Sequence, residues 1–384
     1  MLGPTEFSAS ATGGSPVEQL REALNGIFAQ LRGASGRAAD FTAMTWRAAE
    51  PGAFDPSRAE IDLCYREVFG GFRPKISIER GDGLLTVRAS ADIMVRDDPR
   101  PLWRQYNFAE LERQMSPRSA AVSMQAVFEQ KRQLGAAFRA KHPNAATDIA
   151  YGAGRNETFD LFYPAQPGVH PLWVFIHGGY WQASDKRDVH DLAAQMLNAG
   201  YAVATPNYGL CAPATLRIIV EQMRRCMMHL HDNAASLGLD PQQFNIAGTS
   251  AGGHLAAFLV CDPALSFIRS TLAISGLLQL EPVAMLPAGR ILGLDVATAR
   301  EFSPALKTPN PGTRIGVAVG ELESDEFRRQ SSELAQQWNA AFLEVKGRVH
   351  FNVTDDLANG GALADLALAL ASPAEVSRKF VASR

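Results

Sequence analysis

Two short glycine-containing segments, each at the end of an apolar run, constrain the fold of this 384-residue chain more than any other feature. Gly248-Thr249-Ser250-Ala251-Gly252 follows the run Phe244-Asn245-Ile246-Ala247, and His177-Gly178-Gly179-Tyr180-Trp181 follows Trp173-Val174-Phe175-Ile176. Small residues on both sides of Ser250 allow the backbone to turn sharply from a strand into a helix, which leaves the hydroxyl clear of the sheet. The sequence therefore predicts a serine nucleophile at a strand-to-helix turn.

The glycine pair after His177 meets a second requirement of such a nucleophile. Attack on a carbonyl places negative charge on the carbonyl oxygen, and backbone amides without bulky side chains can approach and stabilise this charge. Gly178 and Gly179 are therefore the predicted donors of an oxyanion hole.

A serine hydroxyl is a poor nucleophile at neutral pH, so it needs a base within hydrogen-bond reach and an acid that orients the base. After Ser250 the sequence contains two histidines, His254 and His350. His254 comes one helical turn after the serine and would point along its own helix. His350 lies in a loop after the last predicted strand and is therefore the predicted base.

The acid should follow the predicted strand that ends at Gly320. Glu321, Glu323, Asp325 and Glu326 are the candidates in this segment. Asp325 and Glu326 suit the first turn of the next helix, where carboxylates favour the positive end of the helix dipole. Glu323 is the preferred acid because a loop of three residues turns its carboxylate toward the histidine loop, and Glu321 and Asp325 stay as alternatives.

Composition limits the classes of function. With 46% hydrophobic and 20% charged residues the chain resembles an ordinary folded, soluble protein. The net charge of −3 and the dispersed lysines and arginines give no indication of a nucleic acid or an acidic membrane as a partner. The N-terminus lacks the pattern of a signal peptide, and no run approaches the roughly 18 apolar residues of a membrane span. We expect a cytoplasmic protein.

Cysteines and histidines do not predict a metal site or a cofactor. The four cysteines are scattered without ligand spacing and are expected to be buried thiols in a reducing compartment. They are Cys64, Cys211, Cys226 and Cys261. His229 and His231 lie in a predicted helix that has no carboxylate or cysteine pattern beside them. We therefore expect no metal, and the serine chemistry requires no cofactor.

Residues 1–95 differ from the rest in the order of their predicted elements. The order is a helix over Val17 to Leu31, a strand over Phe41 to Trp46, a helix over Pro56 to Phe69, and strands over Lys75 to Glu79 and Leu84 to Ala91. This order predicts a small α+β unit with its helices on one face of a sheet. The prolines and charges of Asp97-Asp98-Pro99-Arg100-Pro101 predict a linker over residues 96–105.

Residues 106–384 are expected to form the main domain. Apolar strand-like runs alternate there with helical segments, which predicts an α/β fold with a mostly parallel sheet and helices on both faces. The predicted strands are Phe159 to Tyr163, Leu172 to Ile176, Tyr201 to Thr205, Gln243 to Ala247, Thr271 to Ser275, Arg314 to Val319 and Ala341 to Val345. The predicted helices lie around Val189 to Asn198, from Ala214, after Gly252 and over Glu326 to Trp338.

Several motifs of this domain resemble the kynurenine formamidase (arylformamidase) family of the α/β-hydrolase superfamily. They are His177-Gly-Gly-Tyr-Trp181-Gln182, Ser250-Ala251-Gly252-Gly253-His254-Leu255-Ala256, Glu323-Ser324-Asp325-Glu326-Phe327-Arg328-Arg329-Gln330-Ser331 and Leu111-Glu112-Arg113-Gln114-Met115-Ser116-Pro117-Arg118. The resemblance covers residues 106 to 360. It implies Ser250 as nucleophile, Glu323 as acid, His350 as base, and oxyanion donors at the amides of Gly178, Gly179 and Ala251. That family commonly has aspartate where Glu323 stands.

The resemblance also implies the reaction: hydrolysis of the formyl amide of an N-formyl arylamine such as N-formylkynurenine. A formyl group needs little room, whereas an aryl group needs a flat apolar slot, for which Tyr180, Trp181 and Tyr208 are the predicted walls. One alternative is a carboxylesterase for small acyl esters. A second is a formamidase for another amine, such as a formylated aminobenzoate, and a third is a binding protein without catalytic activity.

The first unit is similar in places to the Rid (YjgF-like) imine deaminases. The segments are Glu18-Gln19-Leu20, Tyr65-Arg66-Glu67-Val68-Phe69-Gly70-Gly71 and Leu84-Leu85-Thr86-Val87-Arg88-Ala89. Where that family has a substrate-binding arginine this chain has Arg73-Pro74-Lys75, and Arg88 aligns with a glutamate of the family. The first strands of that family are expected to be missing here. We therefore expect a degenerate module that serves either in packing or in oligomerisation, and in the second case the chain would form a homo-oligomer through it.

Overall fold

The computed structural model describes residues 4–34, 36–56, 59–69, 74–93, 96, 98–116, 124–211 and 214–372. Arg73 lies outside them. The chain divides into two compact units. The first comprises Met1–Leu111 with Val283–Asp295, and the second comprises Glu112–Pro282 with Val296–Arg384.

This division differs from the predicted boundaries at residues 95 and 106. Arg96, in the predicted linker, donates to both carboxylate oxygens of the buried Asp40 at 2.8 Å, so this part of the chain is tied into the first unit. Arg290 of the distant segment donates to the carbonyls of Asp40 and Asp92, and Ile291 packs against the same core. These contacts join segments that lie far apart in the sequence, and local composition does not reveal them.

The first unit has a four-stranded sheet of order β1-β4-β2-β3. Its elements are β1 (Thr5–Ser10), α1 (Pro16–Gly33), β2 (Phe41–Ala48), α2 (Ala59–Phe69), β3 (Lys75–Arg80) and β4 (Thr86–Ala91). Strands β2 and β3 are parallel, and the other two pairs are antiparallel. The strand β1, whose residues 5–10 pair with β4 along their whole length, was not predicted from the sequence. The expectation that the first strands of the Rid family are missing stays a prediction.

The helices of the first unit cover one face of this sheet. Ser15 begins α1: its hydroxyl accepts the amide of Glu18, whose carboxylate accepts the amide of Ser15 at 2.8 Å. This reciprocal cap stabilises the first turn of the helix. The buried face of α1 repeats at helical spacing, which confirms its predicted amphipathic character. The residues of that face are Leu20, Ala23, Leu24, Ile27 and Leu31.

The second unit contains an eight-stranded sheet of order β12-β11-β10-β9-β7-β8-β6-β5. The strands are β5 (Ala146–Ala150), β6 (Thr158–Phe162), β7 (His170–Ile176), β8 (Ala202–Pro206), β9 (Leu239–Thr249), β10 (Ile268–Ile274), β11 (Arg314–Gly320) and β12 (Ala341–Val345). All pairs from β12 to β8 are parallel, and β6 is antiparallel to both of its neighbours. The predicted mostly parallel sheet is confirmed.

Helices complete the α/β architecture. The remaining α-helices of the chain, of which α9 belongs to the first unit, are α3 (Phe108–Met115), α4 (Met124–Ala140), α5 (Ala194–Asn198), α6 (Leu216–Asp232), α7 (Ala251–Leu259), α8 (Glu281–Ala284), α9 (Pro287–Leu292), α10 (Val296–Glu301), α11 (Asp325–Gln337), α12 (Asp355–Asn359) and α13 (Ala362–Ala371). Short 3-10 helices lie at Ala38–Asp40, Pro51–Phe54, Lys186–Ala193, Pro263–Leu265 and Pro304–Leu306. Among the described residues, no helix is both long enough and apolar enough to cross a membrane.

The sheet of the second unit is packed on both faces. Alternate residues of a strand point to opposite faces, and β10 illustrates this. Leu272 and Ile274 belong to a core with Met196 of α5 and Leu366 of α13. Ala273, between them, belongs to a second core that includes residues of α7 and α11. The predicted cover of helices on both faces is therefore confirmed.

The predicted helix over Val189 to Asn198 takes a different form. It begins earlier, as the 3-10 helix Lys186–Ala193, and continues as α5. Asp185 caps the start by accepting the amide of Arg187. The Nζ of Lys186 lies 2.5 Å from Oδ1 of the buried Asp160 on β6. This buried ion pair fixes the start of the segment.

Candidate active site

Five neighbouring strands of the second unit carry polar or glycine residues just beyond their carboxyl ends. In the order β12, β11, β10, β9 and β7, these residues are His350, Glu323, Ser275, Ser250 and Gly178. Parallel strands bring their carboxyl ends to one edge of a sheet, which is where ligands bind in open α/β folds. The topology therefore collects residues from 178 to 350 at this edge.

Ser250 lies at the tight turn between β9 and α7. Its backbone adopts φ 56° and ψ −119°, which is rarely populated by residues other than glycine. The flanking glycines make this turn feasible. A Cβ on Gly252 would lie 2.0 Å from the carbonyl oxygen of Ile176, and a Cβ on Gly248 would lie 2.3 Å from that of Gly252. The predicted strand-turn-helix context of Ser250 is present.

The glycine pair lies beside the serine. A Cβ added to Gly178 would be 3.1 Å from the Cβ of Ser250, so a larger residue would crowd the nucleophile. Gly179 has φ 101°, and a Cβ there would lie 2.1 Å from the carbonyl oxygen of Ala183. Within the described parts of the chain, the amides of Gly178, Gly179 and Ala251 donate to no protein acceptor. These amides are therefore free to donate to an oxyanion.

His350 is bonded to Glu323. Its Nδ1 lies 2.6 Å from Oε2 of the carboxylate, and both side chains are largely buried, with exposed fractions of 8% and 1%. A carboxylate accepts, so Nδ1 carries the proton of the neutral ring, and Nε2 keeps its lone pair. The ring also packs against Phe327 and Phe351, with centroids at 4.9 and 5.6 Å. This environment fixes the tautomer and the orientation of the imidazole.

The other carboxylate oxygen of Glu323 is also fully engaged. Oε1 accepts from the hydroxyl of Ser275 at 2.5 Å and from the amide of Gly320 at 2.8 Å. Burial alone would raise the pKa of this carboxyl. The hydrogen bonds from His350, Ser275 and Gly320, and the positive charge of His350 when its ring is protonated, outweigh burial and lower the pKa of Glu323 below its ordinary value. Glu323 is therefore an ionised partner of the histidine at neutral pH.

The alternative acids have other partners. Glu321 binds the exposed Lys346 at 2.9 Å and accepts the amide of Gly347. Asp325 begins α11, and its side chain is 76% exposed. Glu326 is buried but pairs with Arg329 at 2.6 Å. Of the four carboxylates, Glu323 is the one bonded to His350.

The three aromatic residues predicted to form the substrate slot differ in exposure. Tyr180 is half-buried, whereas Trp181 is fully buried and Tyr208 is 1% exposed. Tyr208 stacks on His177 with centroids 4.3 Å apart, and its hydroxyl donates to the carbonyl of His177 at 2.9 Å. Substrate contact by these residues stays a prediction. Their burial favours support of the glycine loop by Trp181 and Tyr208, whereas Tyr180 keeps part of its side chain exposed.

Sequence reasoning missed the role of Ser275 as a partner of Glu323. Its position at the end of an apolar strand was visible, and adjacent parallel strands end together, so this polar residue was detectable. The sequence places Phe327 in a predicted helix, and its position in that helix does not indicate a contact with His350.

His229 and His231 are not predicted to bind a metal. Among the described residues, no group of three histidine, cysteine or acidic side chains has the geometry of a metal site.

Comparison with known proteins relates the chain to esterases and amidases. A family model described as BD-FAE matches residues 159–266. The kynurenine formamidase of Salmo salar is 26% identical over 280 residues, which are 67% of this chain and 94% of the relative. The kynurenine formamidase of Drosophila melanogaster is 28% identical over 59% of this chain and 81% of the relative.

A solved structure also relates the chain to hydrolases. A candidate thioesterase from Silicibacter sp. TM1040 is 30% identical, has a TM-score of 0.60, and matches 65% of this chain and 95% of its own. This likeness agrees with the parallel sheet and with the strand-turn-helix at Ser250. The chain therefore belongs to the α/β-hydrolase superfamily and is a hydrolase, related in sequence to the kynurenine formamidases.

Proposed function

We propose that this hydrolase is an arylformamidase, which cleaves the formyl amide of an N-formyl arylamine such as N-formylkynurenine and releases formate. The proposal depends above all on the 2.6 Å bond between His350 and Glu323 at the sheet edge that carries Ser250. The kynurenine formamidases matched over two thirds of the chain support the substrate class. The 94% coverage of the Salmo salar relative means that the similarity extends over nearly the whole of that enzyme.

In the proposed mechanism Ser250 attacks the formyl carbon. The lone pair on Nε2 of His350 takes the hydroxyl proton, because Nδ1 is already protonated and directed at Glu323. The ionised Glu323 stabilises the imidazolium that results. The pKa of Glu323 is lowered by its partners, so the carboxylate does not take the proton itself.

The amides of Gly178, Gly179 and Ala251 are the proposed donors to the oxyanion. Donors fixed in advance by the fold stabilise charge in the transition state without reorganisation. As the tetrahedral intermediate collapses, His350 gives its proton to the amine nitrogen, the C–N bond breaks and the arylamine leaves. A water molecule, deprotonated by His350, then attacks the formyl ester on Ser250 and releases formate.

The proposed reaction needs room at Ser250 for only a small acyl group. Gly178 lies so close that its Cα faces the serine side chain, and Tyr180 follows directly after the glycine pair. The proposed aryl slot lies along Tyr180, whose ring meets that of Trp181 edge to face with centroids at 5.7 Å.

Ester hydrolysis is the second candidate function, because the same groups serve both reactions. The 30% identity to a candidate thioesterase favours an ester or thioester as an additional substrate. Lipase-like esterases often have a third glycine where Tyr180 stands in this chain. A bulky residue at that position reduces the room for a long acyl chain, which favours formyl over larger acyl groups.

We expect the purified protein to prefer formylated arylamines. A panel of N-formylkynurenine, a formylated aminobenzoate, p-nitrophenyl acetate and p-nitrophenyl butyrate should give the largest kcat/KM for one of the formamides. The acetate should exceed the butyrate by about tenfold or more, because the proposed site has a tyrosine where lipase-like esterases often have a third glycine and so leaves less room for two added methylenes. Hydrolysis of the p-nitrophenyl esters without turnover of either formamide would establish an esterase instead.

The first unit is proposed to mediate self-association. The unit exposes apolar surface on α2, where Leu63 is 59% exposed. Sedimentation equilibrium of the full chain should therefore give a multiple of 41.5 kDa, and Leu63→Lys should lower the mass by charging the contact. A wild-type mass of one chain would contradict this role, and the exposed Leu306→Lys on the second unit serves as the matched control.

A further inference from the structure

The turn that contains the glycine pair has an unusual backbone. Three consecutive residues, Gly179, Tyr180 and Trp181, have φ of 101°, 55° and 56°. Glycine adopts this left-handed region freely, but side chains such as tyrosine and tryptophan rarely do. Such a conformation persists only where surrounding contacts hold it. Something must therefore keep Tyr180 and Trp181 in this turn.

Trp181 is the residue of this turn that is anchored in the protein. Its side chain is fully buried, and its carbonyl accepts the amide of Cys211 at 2.8 Å. The indole meets the imidazole of His254 edge to face, with centroids 5.0 Å apart and planes at 82°. The turn that follows the glycine pair is therefore attached to the residue His254 on α7.

His254 connects this anchor to the nucleophile. It lies four residues after Ser250, and its amide donates to the Ser250 carbonyl at 3.0 Å. Its Nε2 lies 2.8 Å from the carbonyl oxygen of Phe302. A carbonyl only accepts, so Nε2 carries the proton and Nδ1 presents a lone pair. Burial lowers the pKa of His254 to about 4, which keeps the ring neutral at physiological pH.

The remaining nitrogens of the two rings complement each other. Among the described residues, neither Nε1 of Trp181 nor Nδ1 of His254 has a hydrogen-bond partner, although both atoms are buried. Nε1 of Trp181 is a donor, and the unprotonated Nδ1 of His254 is an acceptor. Buried polar atoms are nearly always paired, because an unpaired one loses the hydrogen bond it would make in water. The two rings touch edge to face without a direct hydrogen bond, so one bridging water molecule or a small rotation of either ring would pair the donor with the acceptor.

We propose that His254 is a positioning residue for the oxyanion hole. Its neutral Nδ1 holds the indole N–H of Trp181, and this pair keeps the left-handed turn in place so that the amides of Gly178 and Gly179 face Ser250. The role rests on the proposed function only in requiring acyl transfer at Ser250. It holds equally for amides and esters, because the oxyanion is common to both.

Two isosteric replacements of His254 separate its nitrogens. His254→Gln keeps a donor near Nε2 for the Phe302 carbonyl and loses the acceptor at Nδ1. His254→Asn keeps an acceptor near Nδ1 and loses the other bond. Trp181→Phe removes the indole N–H and keeps an aromatic ring. We expect His254→Gln and Trp181→Phe each to lower kcat by about 10- to 100-fold with KM changed by less than about threefold.

The effects of His254→Gln and Trp181→Phe on kcat should not be additive in free energy. If one link carries the effect, the double variant His254→Gln with Trp181→Phe falls no further than the more severe single variant. His254→Asn should retain several-fold more kcat than His254→Gln. Multiplied effects in the double variant, or equal activity of the Asn and Gln variants, would overturn the proposal. His231→Gln is the matched control. His231 lies in α6 and also packs against an aromatic ring, since its ring centroid is 4.0 Å from that of Phe267.

Two measurements do not depend on the substrate. The rate at which a fluorophosphonate labels Ser250 reports the serine, base and oxyanion donors together, so it should fall in the same variants even if no formamide is cleaved. Unchanged labelling in both single variants would exclude the positioning role and leave the choice between formamide and ester untouched. In the wild type, nitrogen NMR should show His254 as the Nε2–H tautomer, and a proton on Nδ1 would also exclude it.

Discussion

Replacing Ser250 by alanine is expected to lower formate release by about 100,000-fold, to near the rate of the reaction without the nucleophile. The reason is the loss of the only atom that forms the covalent intermediate in the proposed mechanism. The fold should survive, because the neighbouring glycines make the turn and the serine amide donates to the carbonyl of Ile274 at 2.8 Å. The measurement is formate produced from N-formylkynurenine, together with Tm.

A matched serine in the same sheet gives the control. Ser270 on β10 is buried, and its hydroxyl donates to Asn245 Oδ1 on β9 at 2.7 Å, away from the carboxyl edge. Ser270→Ala should change stability and leave kcat nearly unchanged. If Ser250→Ala kept more than a tenth of the wild-type turnover, another nucleophile would have to carry the reaction, and the assignment would fail.

Replacing Glu323 by glutamine has the second-largest expected effect, a reduction of kcat by about 100- to 10,000-fold. Oε1 accepts two hydrogen bonds, from Ser275 and from the amide of Gly320. The amide oxygen of the glutamine must therefore take that place, which turns its NH2 group toward Nδ1 of His350. The ring then protonates on Nε2 and can no longer accept the proton of Ser250. Loss of the negative charge at residue 323 thus disables the base, because it moves the proton of the imidazole from Nδ1 to Nε2.

The same segment offers internal controls for this prediction. Glu321→Gln and Asp325→Asn should keep kcat within about threefold, because neither side chain is bonded to His350. If Asp325→Asn lowered kcat by orders of magnitude while Glu323→Gln stayed active, the acid would be Asp325 and not Glu323. Because the pKa of Glu323 is lowered, its stabilising pair with His350 is present above the ordinary carboxyl range and is lost only as pH falls through that lowered pKa.

The residues of the candidate site were predictable because each follows an apolar strand. Ser250, Glu323 and His350 come just after strands whose alternation with helices indicates a parallel sheet, and parallel strands end at one edge. The preference for Glu323 over Glu321 also followed from loop length alone. Ser275 is likewise visible as a polar residue after an apolar strand, but its hydrogen bond to the second carboxylate oxygen of Glu323 forms only after β10 and β11 pair, so the sequence does not show this bond.

Other features depended on contacts that no local pattern contains. The strand at Thr5–Ser10 reads as a serine-rich, polar stretch, and its pairing with β4 defines it as a strand. Trp181 follows the glycine pair, and its place in the substrate slot stays a prediction. Its contact with His254, 73 positions later, is one that no local pattern indicates. Long-range packing accounts for both features, and local propensity gives no signal of either.

The membership of Val283–Asp295 in the first unit has a consequence for protein synthesis. The ribosome makes the amino-terminal strands early, but Arg290 and Ile291, which contact Asp40 and the core around it, emerge only after most of the chain has been translated. The first unit must therefore remain incomplete while strands β5 to β10 are being made. Its final packing then comes shortly before the synthesis of β11, the strand that precedes Glu323, so the first unit cannot mature far ahead of the second.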